Sequence, residues 1–81
     1  MSLTNNLSRT AFRLEKQMVS PNDWSAKVPQ HILDMFREDI ESGYPIGFAY
    51  DKRLGWCMIF SGQGPCIGWC EHEELLDEEQ G

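Results

Sequence analysis

The apolar residues change period at Tyr44-Pro45, and that change limits the chain to a mixed architecture. Before this point they recur at helical spacing, and after it they alternate with small or polar residues, so helices come first and strands follow. Leu7, Ala11, Leu14 and Met18 are spaced four, three and four apart, which makes one stripe of an amphipathic helix between Asn5 and Met18. Phe12 lies off that stripe, and Arg9, Arg13 and Lys16 form a small basic cluster outside it. Ser20-Pro21-Asn22-Asp23 stops the helix and starts a capped turn, with Trp24 anchoring the connector.

A second helix is expected from about Pro29 to Ser42. Pro29 suits the first turn, Ile32, Leu33, Phe36 and Ile40 make an apolar face, and Gly43 supplies a left-handed C-cap. Its other face carries Asp34, Arg37, Glu38 and Glu41 and is left for solvent or a partner.

Three strands follow. Ile46, Phe48 and Tyr50 alternate with Gly47 and Ala49, and Trp56, Met58 and Phe60 alternate with Cys57 and Ile59. The charged, glycine-ended connector Asp51 to Gly55 suits a hairpin, and Ser61-Gly62-Gln63-Gly64 marks a second turn before Cys66 to Cys70. The predicted fold is therefore α+β, with two N-terminal helices, a three-stranded antiparallel meander and a short acidic C-terminal segment. Strict alternation puts Ile46, Phe48, Tyr50, Trp56, Met58, Phe60, Ile67 and Trp69 on one face, against the second helix, with Phe36, Ile40, Phe48 and Met58 buried. The other face carries Gly47, Ala49, Ile59, Gly68 and three cysteines, and either accepts the first helix or stays open as a binding patch.

With 81 residues and 41% hydrophobic content there is apolar surface for one core, so residues 1–81 read as one domain, flexible at 1–4 and 77–81. So small a core favours added stability from a metal, a homodimer or an obligate partner. No apolar run reaches the roughly 20 residues of a membrane helix, and Met1 to Ser8 is polar, which predicts a soluble protein with no membrane partner. An odd number of cysteines, three, leaves a thiol unpaired and points to the cytoplasm.

The net charge of −6 sits wholly in the tail: Glu71, Glu73, Glu74, Asp77, Glu78 and Glu79 face no Lys or Arg there, while residues 1–70 balance. A surface without basic excess gives little counterion-release drive toward phosphate, so direct nucleic-acid binding is not expected.

Cys57, Cys66, Cys70 and His72 offer a zinc-type ligand set, but Cys66, Cys70 and His72 are spread along a strand and lack the tight pair of a ligand turn. The cysteines read better as small buried hydrophobes, so no metal or other cofactor is assigned. Gly62-Gln63-Gly64 lacks the Lys and hydroxyl residue of a phosphate loop, and no catalytic signature surrounds His31 or His72, so no catalytic residue is assigned.

The leading functional expectation is a small non-enzymatic protein-binding domain. Its specific form is a phage or mobile-element inhibitor that occludes a host enzyme or nucleic-acid-binding complex, with a partner of basic surface. The expected partner-binding residues are Trp24, Arg37, Glu38, Glu41, Trp56, Glu73, Glu74, Asp77, Glu78 and Glu79. A zinc-binding regulatory module built on the C-terminal Cys and His residues is the alternative, and a small enzyme completed by oligomerisation ranks third.

Overall fold

The computed structural model describes residues 3–62 and 64–75, with side chains from Arg9 onward. Helix α1 spans Leu3–Glu15, a 3-10 turn Pro21–Asp23 leads into α2 (Trp24–Lys27), and α3 (Gln30–Met35) and α4 (Arg37–Glu41) follow. Strands β1 (Ile46–Asp51), β2 (Gly55–Phe60) and β3 (Cys66–Cys70) form an antiparallel meander in that spatial order. Helices followed by a three-stranded sheet are the architecture expected from the change of period.

The sheet is covered on both faces. Leu14 of α1 packs with Ala49, Leu54, Cys57, Ile59 and Cys70, joined by Met18, Ile67 and Leu75. The opposite face of the sheet carries Ile46, Phe48 and Met58 against Val28, Ile32 and Phe36 of the α2–α4 segment. The chain passes between these layers beside β1, where the Val19 N–H donates to the Phe48 carbonyl at 2.7 Å. That bond satisfies an acceptor on the outer edge of β1, which would otherwise be open to pairing.

The expected second helix is two short ones. Phe36 leaves helical geometry at φ −109° and ψ 23°, and its ring turns onto Phe48 and Trp69 at centroid distances of 6.0 and 5.1 Å. The bend thus gains aromatic contacts that propensity along the segment does not encode. Gly43, at φ +78°, ends α4 as expected, its N–H bonding to the Ile40 carbonyl.

Four core assignments change. Ile67 lies on the α1 face, because Met58 pairs with Trp69 while Ile59 pairs with Ile67, making Gly68 an extra residue on β3. Phe60 and Met58 lie so close over Gly68 that a Cβ there would meet both side chains. Ile40 is only half-buried, and Tyr50 stands 53% exposed beyond the reach of the helices. Leu54, placed in the hairpin connector by its sequence position, is fully buried.

The cysteines also differ from the free-thiol reading. Cys57 and Cys70 face each other in register, 4.1 Å apart at Cα, and form a disulfide under α1. Cys66 is the exposed, unpaired thiol that the odd count requires.

The β1–β2 turn is held by one carboxylate. Asp51 Oδ2 accepts the backbone N–H groups of Arg53 and Leu54, both at 2.9 Å, and Oδ1 accepts Arg13 Nη1 at 2.6 Å, tying α1 to the turn. Gly55 closes the turn at φ +76°. Burial alone would push the Asp51 carboxyl up, yet the hydrogen bonds from Arg13, Leu54 and Arg53 and the Arg13 charge together hold it below its ordinary 3.8. A lowered folded-state pKa stabilises the protein fully above that ordinary value, and the contribution is lost as pH falls through the lowered value. Asp51→Asn should therefore cost about 1–2 kcal/mol at neutral pH, with the gap to wild type closing as pH falls below the ordinary 3.8. Urea titrations across that range check it, and a pH-independent gap would exclude the carboxylate charge as the cause.

Candidate functional site

A groove of about 310 Å³ lies between α3, α4 and the Pro21–Ser25 segment. Trp24, Leu33 and Ile40 supply its apolar part. Gln30, Asp34, Arg37 and Glu41 supply the polar part, all four with exposed side chains.

Trp24 is fixed in place rather than free to swing. Its indole N–H donates to the Val19 carbonyl at 3.1 Å, and its ring meets Phe48 edge-on at 5.1 Å. One side of the ring thus belongs to the core while the half-buried remainder borders the groove.

Asp34 is the polar centre. Its Oδ1 accepts Gln30 Nε2 at 2.9 Å and Arg37 Nη2 at 2.6 Å, and these two bonds, aided by the Arg37 charge, hold its carboxyl below the ordinary value. Asp34 is ionised at neutral pH, as a carboxyl with the ordinary value of 3.8 already is. Arg37 therefore presents a largely neutralised pair to a ligand, and the uncompensated charge lies around it. Glu38, Asp39 and Glu41 have no ion-pair partner among the described residues. On the far side of the Asp34–Arg37 pair a larger depression of about 700 Å³ is lined by Asp34, Met35, Arg37, Glu38 and Asp39, with Met35 55% exposed. The surface is an apolar slot beside an acidic dish, divided by one ion pair.

Of the residues expected to bind a partner, Trp24, Arg37 and Glu41 converge on the groove, and Glu38 lies in the adjoining dish. The remaining ones lie elsewhere. Trp56 is half-buried on β2, where it meets the exposed Tyr50 ring edge-on at 5.4 Å. Glu73 accepts the Cys70 N–H at 3.4 Å, and Glu74 stands 4.0 Å from His72 Nδ1. Asp77, Glu78 and Glu79, and the expected flexibility of 77–81, lie outside the described residues. Glu71 is structural: its Oε1 accepts the Trp56 N–H at 2.8 Å, and its own N–H bonds back to the Trp56 carbonyl at 3.0 Å.

Leu33, Met35, Asp39 and Ile40 also line the site and were not expected there, whereas Asp34 lies on the helix face left for solvent or a partner. Two signals in the sequence point to this surface: Gln30, Leu33, Asp34, Arg37, Ile40 and Glu41 share one helical stripe at the border of the apolar face, and Met35 is an apolar residue off that face. The candidate zinc ligands do not gather: Cys57 and Cys70 are bonded to each other, Cys66 is at the other end of β3, and His72 is exposed in the turn beyond Cys70. No group of three or more His, Cys, Asp or Glu side chains among the described residues could hold a metal ion. Set beside protein-family models, curated proteins and solved structures, the chain matches none.

Proposed function

We propose that the chain is a small non-enzymatic protein-binding domain that docks a partner protein at the α3–α4 groove. The observation that carries this reading is the approach of Trp24 of α2 to Arg37 and Glu41 of α4 around an apolar slot with an acidic surround. A half-exposed aromatic held by a hydrogen bond is the kind of rigid anchor on which interface energy concentrates, and the surrounding charge favours a basic partner surface. In its specific form the proposal is an inhibitor of the kind carried by phages and mobile elements, occluding a host enzyme or nucleic-acid-binding complex. Its small size and its charge of −6 support that form.

The test is affinity capture with paired variants. Glu41→Lys reverses an exposed charge at the groove and should change the stability by no more than a surface substitution does, about 0.5 kcal/mol. It should also weaken capture of the partner by at least about tenfold, an effect of about 1.4 kcal/mol. Tyr50→Ser, on the exposed end of β1, should leave capture unchanged. Equal capture by wild type and Glu41→Lys would remove the groove from the binding surface.

A further inference from the structure

We propose that the guest in the α3–α4 groove is an arginine side chain of the partner protein, its guanidinium laid against the Trp24 ring and its charge met by Glu41 and Asp34. The inference rests on the groove being a protein-docking site and names the side chain that fills it. Leu33 and Ile40, both half-buried, give the slot an apolar wall suited to the aliphatic stem of a long basic residue. Trp24 presents its ring in one orientation, because its N–H is held by the Val19 carbonyl at 3.1 Å and its edge contact with Phe48 is at 5.1 Å. An indole fixed in this way binds a cation without first losing rotamer freedom, and tryptophan is the ring that attracts cations most strongly.

The polar side of the slot supplies acceptors. Asp34 Oδ1 takes both Gln30 Nε2 and Arg37 Nη2, which leaves Oδ2 without a hydrogen bond among the described residues. Glu41 is exposed and has neither an ion pair nor a hydrogen bond among the described residues. Arg37 is the one cation lining the slot, its charge is already offset by Asp34, and Glu38 and Asp39 add two further carboxylates in the adjoining depression. An anionic guest would meet this excess of negative charge.

A purely apolar guest is disfavoured for another reason. It would strip water from Glu41 and from Asp34 Oδ2 and return no hydrogen bond to either, which costs more than leaving them solvated. A lysine would answer the charge, but its compact, strongly hydrated ammonium neither stacks flat on a ring nor offers paired donors to a carboxylate. Arginine does both, so stem, plane and fork each meet a matching part of the lining.

NMR titration of the intact, isotope-labelled protein with N-acetyl-arginine amide, N-acetyl-lysine amide and N-acetyl-citrulline amide tests this. The arginine probe should shift the Trp24 indole signal and the Leu33 and Glu41 amide signals saturably, leaving Tyr50 at rest. It should bind at least about fivefold more tightly than the lysine probe, and the neutral citrulline probe should not bind. Glu41→Gln should weaken the arginine probe about two- to fivefold, and about 0.5 M salt should weaken it likewise. No saturable shift at the groove, equal binding of the lysine or citrulline probe, or a Glu41→Gln titration identical to wild type overturns the arginine guest. The docking reading fails separately, when Glu41→Lys captures the partner as well as wild type does. Partner capture lost in Glu41→Lys, together with an arginine probe that moves nothing, would keep the groove and overturn the arginine.

Discussion

Phe48→Ala should lower the stability of the domain by about 3–5 kcal/mol, the usual range for emptying a fully enclosed phenylalanine site. The ring has no accessible surface. Trp24 meets it edge-on at 5.1 Å and Phe36 at 6.0 Å, so its removal opens a hole between the connector, α3 and the sheet rather than at the rim of the core. None of these neighbours can fold into the space at little cost. Trp24 is tied to the Val19 carbonyl, and Phe36 is held on its other side by Trp69. Natural domains are stable by only about 5–15 kcal/mol, and one of this size sits toward the lower end, so the loss is a large share of the whole. Phe12→Ala is the matched control: its ring is 52% exposed, and the change should stay within about 0.5 kcal/mol. Urea midpoints at unchanged slope measure both. A Phe48→Ala variant that loses under about 1 kcal/mol would mean that this ring does not join the sheet to the helices.

How far the sequence foretold these contacts depends on whether their cause is local. Gly43 ends α4 because a residue without Cβ accepts φ +78°, and Asp51 shapes the hairpin through N–H groups two and three residues on. Both are legible in a few neighbouring residues. Strand periodicity is legible for the same reason, and it correctly separates Phe48 and Met58 from Ala49, Cys57 and Ile59. It fails at Gly68, where one inserted residue turns Ile67 to the opposite face. The Met58 and Phe60 side chains that crowd Gly68 come from the neighbouring strand. It fails again at Phe36, where contacts with Phe48 and Trp69 override a continuous helical pattern. The groove is legible in part: Leu33, Arg37, Ile40 and Glu41 share one helical stripe, whereas the approach of Trp24 to that stripe is a tertiary event. The acidic tail shows the converse. Its charge is plain in the sequence, whereas the use of Glu71 to bond the Trp56 N–H depends on strand register.

Register also decides the cysteine pairing, and with it the second large effect. Reducing the Cys57–Cys70 disulfide should destabilise the domain by about 3 kcal/mol, the chain-entropy value for closing a loop near this length in the unfolded state. The two residues are 13 apart in sequence. Both sulfurs are buried beneath α1 beside Leu14, Ile59 and Leu54, so a reduced pair can still pack as two small apolar side chains. The loss therefore falls mainly on the unfolded chain, which recovers its freedom, rather than on native contacts. For a domain of this size each kcal/mol moves the melting temperature by about 4–8 °C, which gives a drop of roughly 12–24 °C on reduction. Cys66→Ser is the background in which to measure it, since Cys66 is exposed and would otherwise link chains through its free thiol. In that background, oxidised protein should contain no titratable thiol and reduced protein two. Cys57→Ala combined with Cys70→Ala should melt no higher than the reduced form and should ignore reductant. If the oxidised Cys66→Ser protein instead shows two free thiols and an unchanged melting temperature on adding reductant, the two sulfurs meet only as packed neighbours. The stability of the β2–β3 pair would then rest on the strand ladder, on Ile59, Ile67, Met58 and Trp69, and on the Glu71 hydrogen bonds.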